Sequence, residues 1–377
     1  MGQKVTKKII ICLILSTLTF GVTIFSYLSY QNSRIERFSS DSTSINKSST
    51  EMQKNKSLKT ILLFTTGSEG ISASEVEYTG VGVKRGSMKD GLTDSIMLFK
   101  IDPNSKKVVG ISIPRDTLIE STGRRINEAY LSTGVNGLVD QVYQLTGIYA
   151  EHQISVNFNG FAQIIDILGG VKVEFPEPVY DKNAKLHITK PGCTLLDGKT
   201  ALAFTRARTY LTLNDEGRYV AGDKSSDWGR IERQQFITKS IINKIKDGNN
   251  LYKIPYVINS LTGSIKVDKG LSVSEILQLG KLATEPTLQI KFYTYPGTGK
   301  NINGASIIVP NKDHFNSLIL EIHSFLGETS LIPVTQQKKA EYVDENGVVR
   351  DEIEVNVAKI QSEPTSQHVI HKYSECQ

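Results

Sequence analysis

Two hydrophobic periods alternate along this chain. Residues 58–64 form a short, mostly apolar run, and residues 95–101 and 107–113 form two more, joined by the turn DPNS. Runs of this length between turn residues read as strands. The signal returns at 154–158, 171–175 and 290–295. Between these runs the period lengthens to that of a helix, at 126–132, 135–145, 161–168, 228–246, 273–282 and 312–325. Gly169-Gly170 and Asp247-Gly248 close two of them. The helix over 228–246 starts after a cap at Ser226 or Asp227 and would bury Ile237, Ile241, Ile242 and Ile245. Strands alternating with helices argue for one α/β domain, placed at 58–327, with helices on both faces of its sheet.

The ends depart from this pattern. Residues 1–8 carry Lys4, Lys7 and Lys8, and the run that follows, within 9–30, holds no charge up to Tyr27. That is long enough to cross a bilayer core, which takes about 20 residues. Lysines before it favour a cytoplasmic N-terminus, so the domain is expected outside the cell membrane. Residues 31–57 are rich in Ser, Thr, Asn and Lys and read as a flexible stalk. Residues 328–377 are polar, without sustained periodicity, and read as a mostly disordered tail. There are three cysteines and no CxxC. A bridge between Cys193 and Cys376 is not expected, because Cys376 ends that tail.

A net charge of +5 is mild, and no basic-aromatic stripe appears, so nucleic acid is not an expected partner. The chemistry gathers in three polar clusters where strands or loops end: Thr93-Asp94-Ser95, Pro114-Arg115-Asp116 and the stretch 206–235. In an extended chain Arg206 and Arg208 share a face, about 6–7 Å apart, and Leu202 and Phe204 extend that face. On the following helix Arg230, Arg233 and Gln234 sit at i, i+3 and i+4 and share another. Guanidinium pairs beside a helix start suit a phosphate or pyrophosphate. Taken singly, such a motif is as well explained by a solvated basic surface. Asp94 and Asp116 are the carboxylates available to a hard divalent cation. Asp94 also suits a turn, and Asp116 an arginine salt bridge.

The segments TDSIMLFKIDP, VVGISIPRDT, RINEAY, FNGFAQIIDILGGVKV, CTLLDGKTALAFTRAR and DWGRIERQQ occur in that order. In them the chain resembles the LytR-CpsA-Psr family of membrane-anchored cell-wall enzymes, over about residues 58–327. The resemblance implies a three-layer α-β-α sandwich with an apolar pocket for a lipid tail. It implies a magnesium-dependent phosphotransferase that moves a glycopolymer, teichoic acid or capsular polysaccharide, from a polyprenyl-pyrophosphate carrier onto peptidoglycan. By position, Arg115, Arg125, Arg206, Arg208, Arg230, Arg233 and Gln234 fall in the pyrophosphate site, Asp94 on one magnesium ligand, and Asp227 on the acid that opens DxGR. Asp116 and Asp227 are the candidates for a general base. The family's second metal-binding Asp follows the first strand; here that region reads FTTGSEG, with Thr65 or Gly67 at the position and Glu69 the nearest carboxylate. Leu92 stands where the family often has Arg, and 210–224 looks like an insertion. The altered loop motivates an alternative, a membrane-tethered module that binds polyprenyl pyrophosphate without catalysis.

Overall fold

A computed structural model describes residues 26, 29–30, 32–38, 58–67, 92–214, 216–221, 226–246, 256, 260–261, 263–302, 304–328 and 373–376. Most of the apolar run at 9–30, the loop at 68–91 with Glu69, and most of 247–262 lie outside the described residues. Among the described residues no helix is long and apolar enough to cross a membrane.

In chain order the first strands are β1 (Glu36–Arg37), β2 (Lys59–Thr66), β3 (Thr93–Asp102), β4 (Lys107–Ile113), β5 (Leu118–Ile119) and β6 (Arg124–Arg125). Helix α1 (Ala129–Thr146), β7 (His152–Asn157), α2 (Phe158–Ile167), β8 (Val171–Phe175), β9 (Val179–Asp181), β10 (Leu186–Ile188) and β11 (Gly192–Leu196) follow. Then come α3 (Gly198–Arg206), β12 (Leu211–Leu213), β13 (Tyr219–Ala221), α4 (Ser226–Lys246), β14 (Ile265–Val267) and α5 (Val273–Ala283). The described fold closes with β15 (Gln289–Thr294), β16 (Gly297–Ile302), β17 (Ala305–Pro310) and α6 (Lys312–Leu326). The main sheet is mixed, in the order β1-β14-β7-β2-β3-β4-β15.

Strand alternation divides this sheet's two faces. Leu62, Phe64, Ile96, Leu98 and Ile111 point to one side and pack with Leu138 and Val142 of α1 and Phe315 and Ile322 of α6. Ile61, Met97, Phe99 and Ile101 point to the other, toward Leu279 and Leu282 of α5. Helices thus cover both faces. A second core joins α2, α3 and α4 to the small strands through Ile165, Phe175, Phe204 and Phe236. Gly198 allows α3 to cross α2 closely, since a Cβ there would lie 2.1 Å from the Ala162 carbonyl oxygen. The break expected between helices at 126–132 and 135–145 falls inside α1 at Gly134, whose φ of 68 and ψ of −162 are not helical.

Three expectations need correction. The stretch around Arg206 is helical, not extended: Asp197 caps α3 by accepting from Thr200 N at 2.8 Å. Leu202 and Phe204 therefore diverge. The segment 31–57 is not a stalk from its start. Phe38 is buried, and Glu36 and Arg37 pair in parallel with Lys266 and Val267. A few well-placed contacts override a polar composition. The tail likewise returns to the fold. Cys376 is disulfide-bonded to Cys193, and the Ser374 carbonyl accepts from Glu174 N at 3.0 Å. Tyr373 lies buried against Phe204 and Phe236. Residues 329–372 lie outside the described residues.

Candidate active site

A cavity of about 460 Å³ lies between the main sheet and helices α2, α4 and α5. Its walls are mostly apolar, including Leu63, Ile154, Phe161, Ile241 and Ile276, and Asp94, Arg206 and Gln234 also line it. Ile241, Ile242 and Ile245, read from sequence as buried, line this space, and Ile241 also packs against the second core. A strand irregularity aims the acid. Thr65 pairs with Ser95 and Thr66 with Thr93, so Asp94 is the extra residue of a bulge. Bulges redirect side chains in this way.

Asp94 Oδ1 accepts from Arg115 Nη1 at 2.5 Å. Arg115 leads onward to Asp116, Nε to Oδ2 at 3.7 Å, and Arg125 Nη1 reaches Asp116 Oδ1 at 3.4 Å. Asp227, in the first turn of α4, has Arg230 Nη2 at 3.2 Å and Arg208 Nε at 3.5 Å from its Oδ1. Asp116 and Asp227 hydrogen-bond to each other, and this joins the two halves. Arg206 lies with its guanidinium 4.5 Å from the Phe158 ring centroid. Gln234 Nε2 faces the Thr205 carbonyl at 3.5 Å. The structure thus brings together nine of the residues singled out from sequence.

Arg233 is placed differently. It is fully buried, and its guanidinium donates to the carbonyls of Phe204 and Ala207 and to the Tyr373 hydroxyl. It braces the last turn of α3, which carries Arg206, rather than lining the cavity. Helical spacing puts Arg230, Arg233 and Gln234 near one another, but packing splits their jobs. Asp181, not singled out from sequence, also supports the site. Its Oδ2 accepts from the backbone N–H groups of Arg208 at 2.7 Å and Thr209 at 2.8 Å. The region of the apparent insertion holds the hairpin β12–β13, and β12 also pairs with β9.

The carboxyl pair is electrostatically asymmetric. Burial raises the Asp116 pKa, and this outweighs the pull of Arg115; the hydrogen bond and charge of Asp227 raise it further. Burial also pushes Asp227 upward, but Arg230, the Asp116 hydrogen bond, Arg208 and Arg115 together hold it below its ordinary value. Of the two, Asp116 is the more readily protonated and Asp227 the more readily ionised. Burial lowers Arg230 to about 10, which still leaves it charged near neutrality.

Three polar atoms here are buried without a hydrogen-bond partner: Arg115 Nε, Arg230 Nε and Asp227 Oδ1. An orphaned buried polar group costs about 1–3 kcal/mol. For Arg115 Nε and Asp227 Oδ1 the ion-pair contacts given above offset part of that cost.

The LytR_cpsA_psr family model matches residues 25–322. The chain belongs to this family. Over 200 residues it is 28% identical to the polyisoprenyl-teichoic acid–peptidoglycan teichoic acid transferase TagV of Bacillus subtilis, a match covering 49% of this chain and 48% of TagV. It is 27% identical to the TagU transferase of Halalkalibacterium halodurans, covering 59% of this chain and 70% of TagU. The chain thus spans about half the length of the first relative and more of the second. Among solved structures, Bacillus subtilis TagV superposes with a TM-score of 0.55 at 22% identity, covering 73% of this chain and 100% of that one. A LytR-Csp2A-Psr enzyme from Actinomyces oris gives 0.54 at 25% identity, covering 70% and 89%. The family's fold is therefore a mixed α/β fold built on a large mixed sheet, as found here.

Proposed function

We propose that this protein is a membrane-anchored phosphotransferase that moves a glycopolymer, a teichoic acid or capsular polysaccharide, from a polyprenyl-pyrophosphate carrier to peptidoglycan. One observation carries the reading: an apolar cavity is joined at Asp94, Arg206 and Gln234 to a cluster of guanidiniums. A lipid tail with a pyrophosphate head has this polarity. The names of the relatives, which act on polyisoprenyl-linked teichoic acid and peptidoglycan, support it.

In this reading Arg115, Arg125, Arg206, Arg208 and Arg230 hold the pyrophosphate, and the orphaned Nε atoms of Arg115 and Arg230 gain acceptors. Phosphoryl transfer passes through a loose transition state that needs positioned charge more than a covalent nucleophile. The acceptor sugar hydroxyl attacks the phosphorus next to the polymer. The phosphorus–oxygen bond to polyprenyl phosphate breaks, and polyprenyl phosphate leaves. The hydroxyl proton passes to Asp227, whose Oδ1 lacks a hydrogen bond. Asp116, hydrogen-bonded to Asp227, holds that carboxylate from behind. Arg233 acts by bracing α3.

The donor set fits magnesium at its minimum. Magnesium takes one or two carboxylates and completes its shell with water and substrate phosphate. Asp94 would hold it, with the Thr65 and Ser95 hydroxyl side chains on the same cavity wall. When bound it would neutralise charge on phosphate oxygens. The ion pair of Asp94 with Arg115 favours the second reading, a binding module without turnover.

The test mixes the full chain with a polyprenyl-pyrophosphate-linked saccharide and a peptidoglycan oligosaccharide, with and without Mg²⁺, and follows polyprenyl phosphate. Release that requires the acceptor establishes the transferase. Binding without release rejects it in favour of the module.

A further inference from the structure

The cavity shares a wall with the segment that enters from the apolar run. Ile35 lines the cavity together with Ile265 and Val267 of β14. One residue later the chain is bound into the main sheet as its edge strand. Glu36 and Arg37 pair with β14, and Phe38 N donates to the Val267 carbonyl at 3.1 Å. Arg37 Nη1 donates to the carbonyls of Asp268 at 2.6 Å and Leu271 at 3.0 Å, and Nη2 to Asn32 Oδ1 at 2.7 Å. Phe38 is buried and stacks on Phe64 with ring centroids 6.1 Å apart. Ser26, Ser29, Tyr30 and Asn32 to Arg34 are helical.

These contacts leave little slack. A stalk over 31–57 would reach about 90 Å if extended. With the chain fixed at Glu36, eight steps separate Tyr27, the end of the apolar run, from Ile35. Eight residues reach at most about 28 Å, and helical residues only about 1.5 Å each. The headgroup layer is itself about 5–7 Å thick. The domain must then rest against that layer with its β1–β14 edge.

From this we propose that residues 32–38 are a rigid dock that presses the β1–β14 side of the cavity against the bilayer, so that a membrane-embedded polyprenyl chain enters the cavity without leaving the membrane. Tyr30, exposed, with Arg34 against its ring at 5.8 Å, lies at the level where amphipathic rings and basic groups meet headgroups. The site's chemistry in this proposal rests on the transferase reading above, and the placement rests on the apolar run serving as a membrane anchor.

The experiment places the full chain in vesicles with dansyl-labelled headgroups and inserts a Gly-Ser segment of about twelve residues between Arg34 and Ile35, adding about 20 Å of reach. Energy transfer from Trp228, the only tryptophan, reports how closely the domain is held. Turnover is followed with a vesicle-embedded long-chain carrier and with a soluble short-chain one. The insertion is expected to lower energy transfer and to cut kcat/KM at least tenfold for the embedded carrier, leaving the soluble carrier unchanged. Unchanged energy transfer and unchanged turnover of the embedded carrier would overturn the dock. So would an equal loss with both carriers, which would place the effect in the fold. If no form turns over either carrier, the transferase reading fails, and energy transfer alone decides the dock.

Discussion

Arg206 and Arg233 stand 27 positions apart on consecutive helices, and their guanidiniums do opposite work. Arg206 lines the cavity above Phe158 and contacts open space. Arg233 is sealed among carbonyls and aromatic rings, with Phe204, Tyr210 and Tyr373 around it. Both look alike in sequence, as arginines in a basic motif. What separates them is where their donors go: those of Arg233 are used by carbonyls of the fold, while Arg206 faces the cavity. A guanidinium whose donors are used internally has none left for a substrate; one with donors unmet is costly until a ligand arrives.

The largest expected effect breaks the site half of this comparison. Replacing Arg206 and Arg208 together with Ala should lower polyprenyl phosphate release about a thousandfold, since single charge-stabilising donors are worth 10²–10³. The melting temperature should move little, because Arg208 is exposed. Asp227→Asn comes next, with release expected to drop about a hundredfold, in the range of a lost proton acceptor. Asp116→Asn, which keeps the shape of the side chain, should retain most activity in the same assay.

The structural half breaks differently. Arg233→Met should strand the Phe204 and Ala207 carbonyls and cost about 3 kcal/mol, a fall in melting temperature of about 6–12 °C seen by calorimetry. Activity should fall in parallel, and Arg233→Lys should recover only part of either. Cys376→Ser frees the Tyr373 segment and opens a loop of 183 residues; the chain-entropy model sets an upper value of about 5 kcal/mol. If Arg233→Met abolished release with an unchanged melting temperature, Arg233 would belong with Arg206 after all.

Smaller effects sharpen the electrostatics. Asp227 is held below 3.8, so its stabilising contribution is complete above that pH and is lost as pH falls through its lowered value. Asp116 is held above 3.8, so its contribution is complete below that pH and is lost as pH rises through its raised value. Melting temperature against pH should decline on the alkaline side of 3.8 in the parent and lack that decline in Asp116→Asn. Thr65→Asp, which adds a carboxylate beside Asp94, should lower the Mg²⁺ concentration for half-maximal release a few-fold.

Much of the fold was legible in the chain. The runs at 107–113 and 171–175 coincide with β4 and β8, and the helices at 273–282 and 312–325 lie within α5 and α6. Each is a local pattern of period two or near 3.6 that packing had no reason to override. The small strands β9 to β13 and the hairpin β16–β17 escaped notice because three to six residues carry too little periodicity. The site residues were legible as a set, since Asp94, Arg115, Asp116, Arg206 and Asp227 lie in motifs at strand or helix ends. Asp181 gave no signal, because its value lies in backbone N–H groups 27 and 28 positions away.

By itself the sequence determined the α/β alternation, the family, the basic chemistry of the site and the apolar run before the domain. These follow from nearest-neighbour spacing and side-chain type, which a linear chain displays in full. Only the tertiary structure decided that Asp94 sits on a bulge, that Arg233 braces α3, and that the surroundings of Asp116 and Asp227 shift their pKa values in opposite directions. It alone decided that both polar ends return to the body, through Arg37 and Phe38 on one side and Tyr373 and Cys376 on the other. Each of these outcomes depends on burial and on partners far apart in the chain, and desolvation and hydrogen-bond satisfaction exist only once distant segments meet.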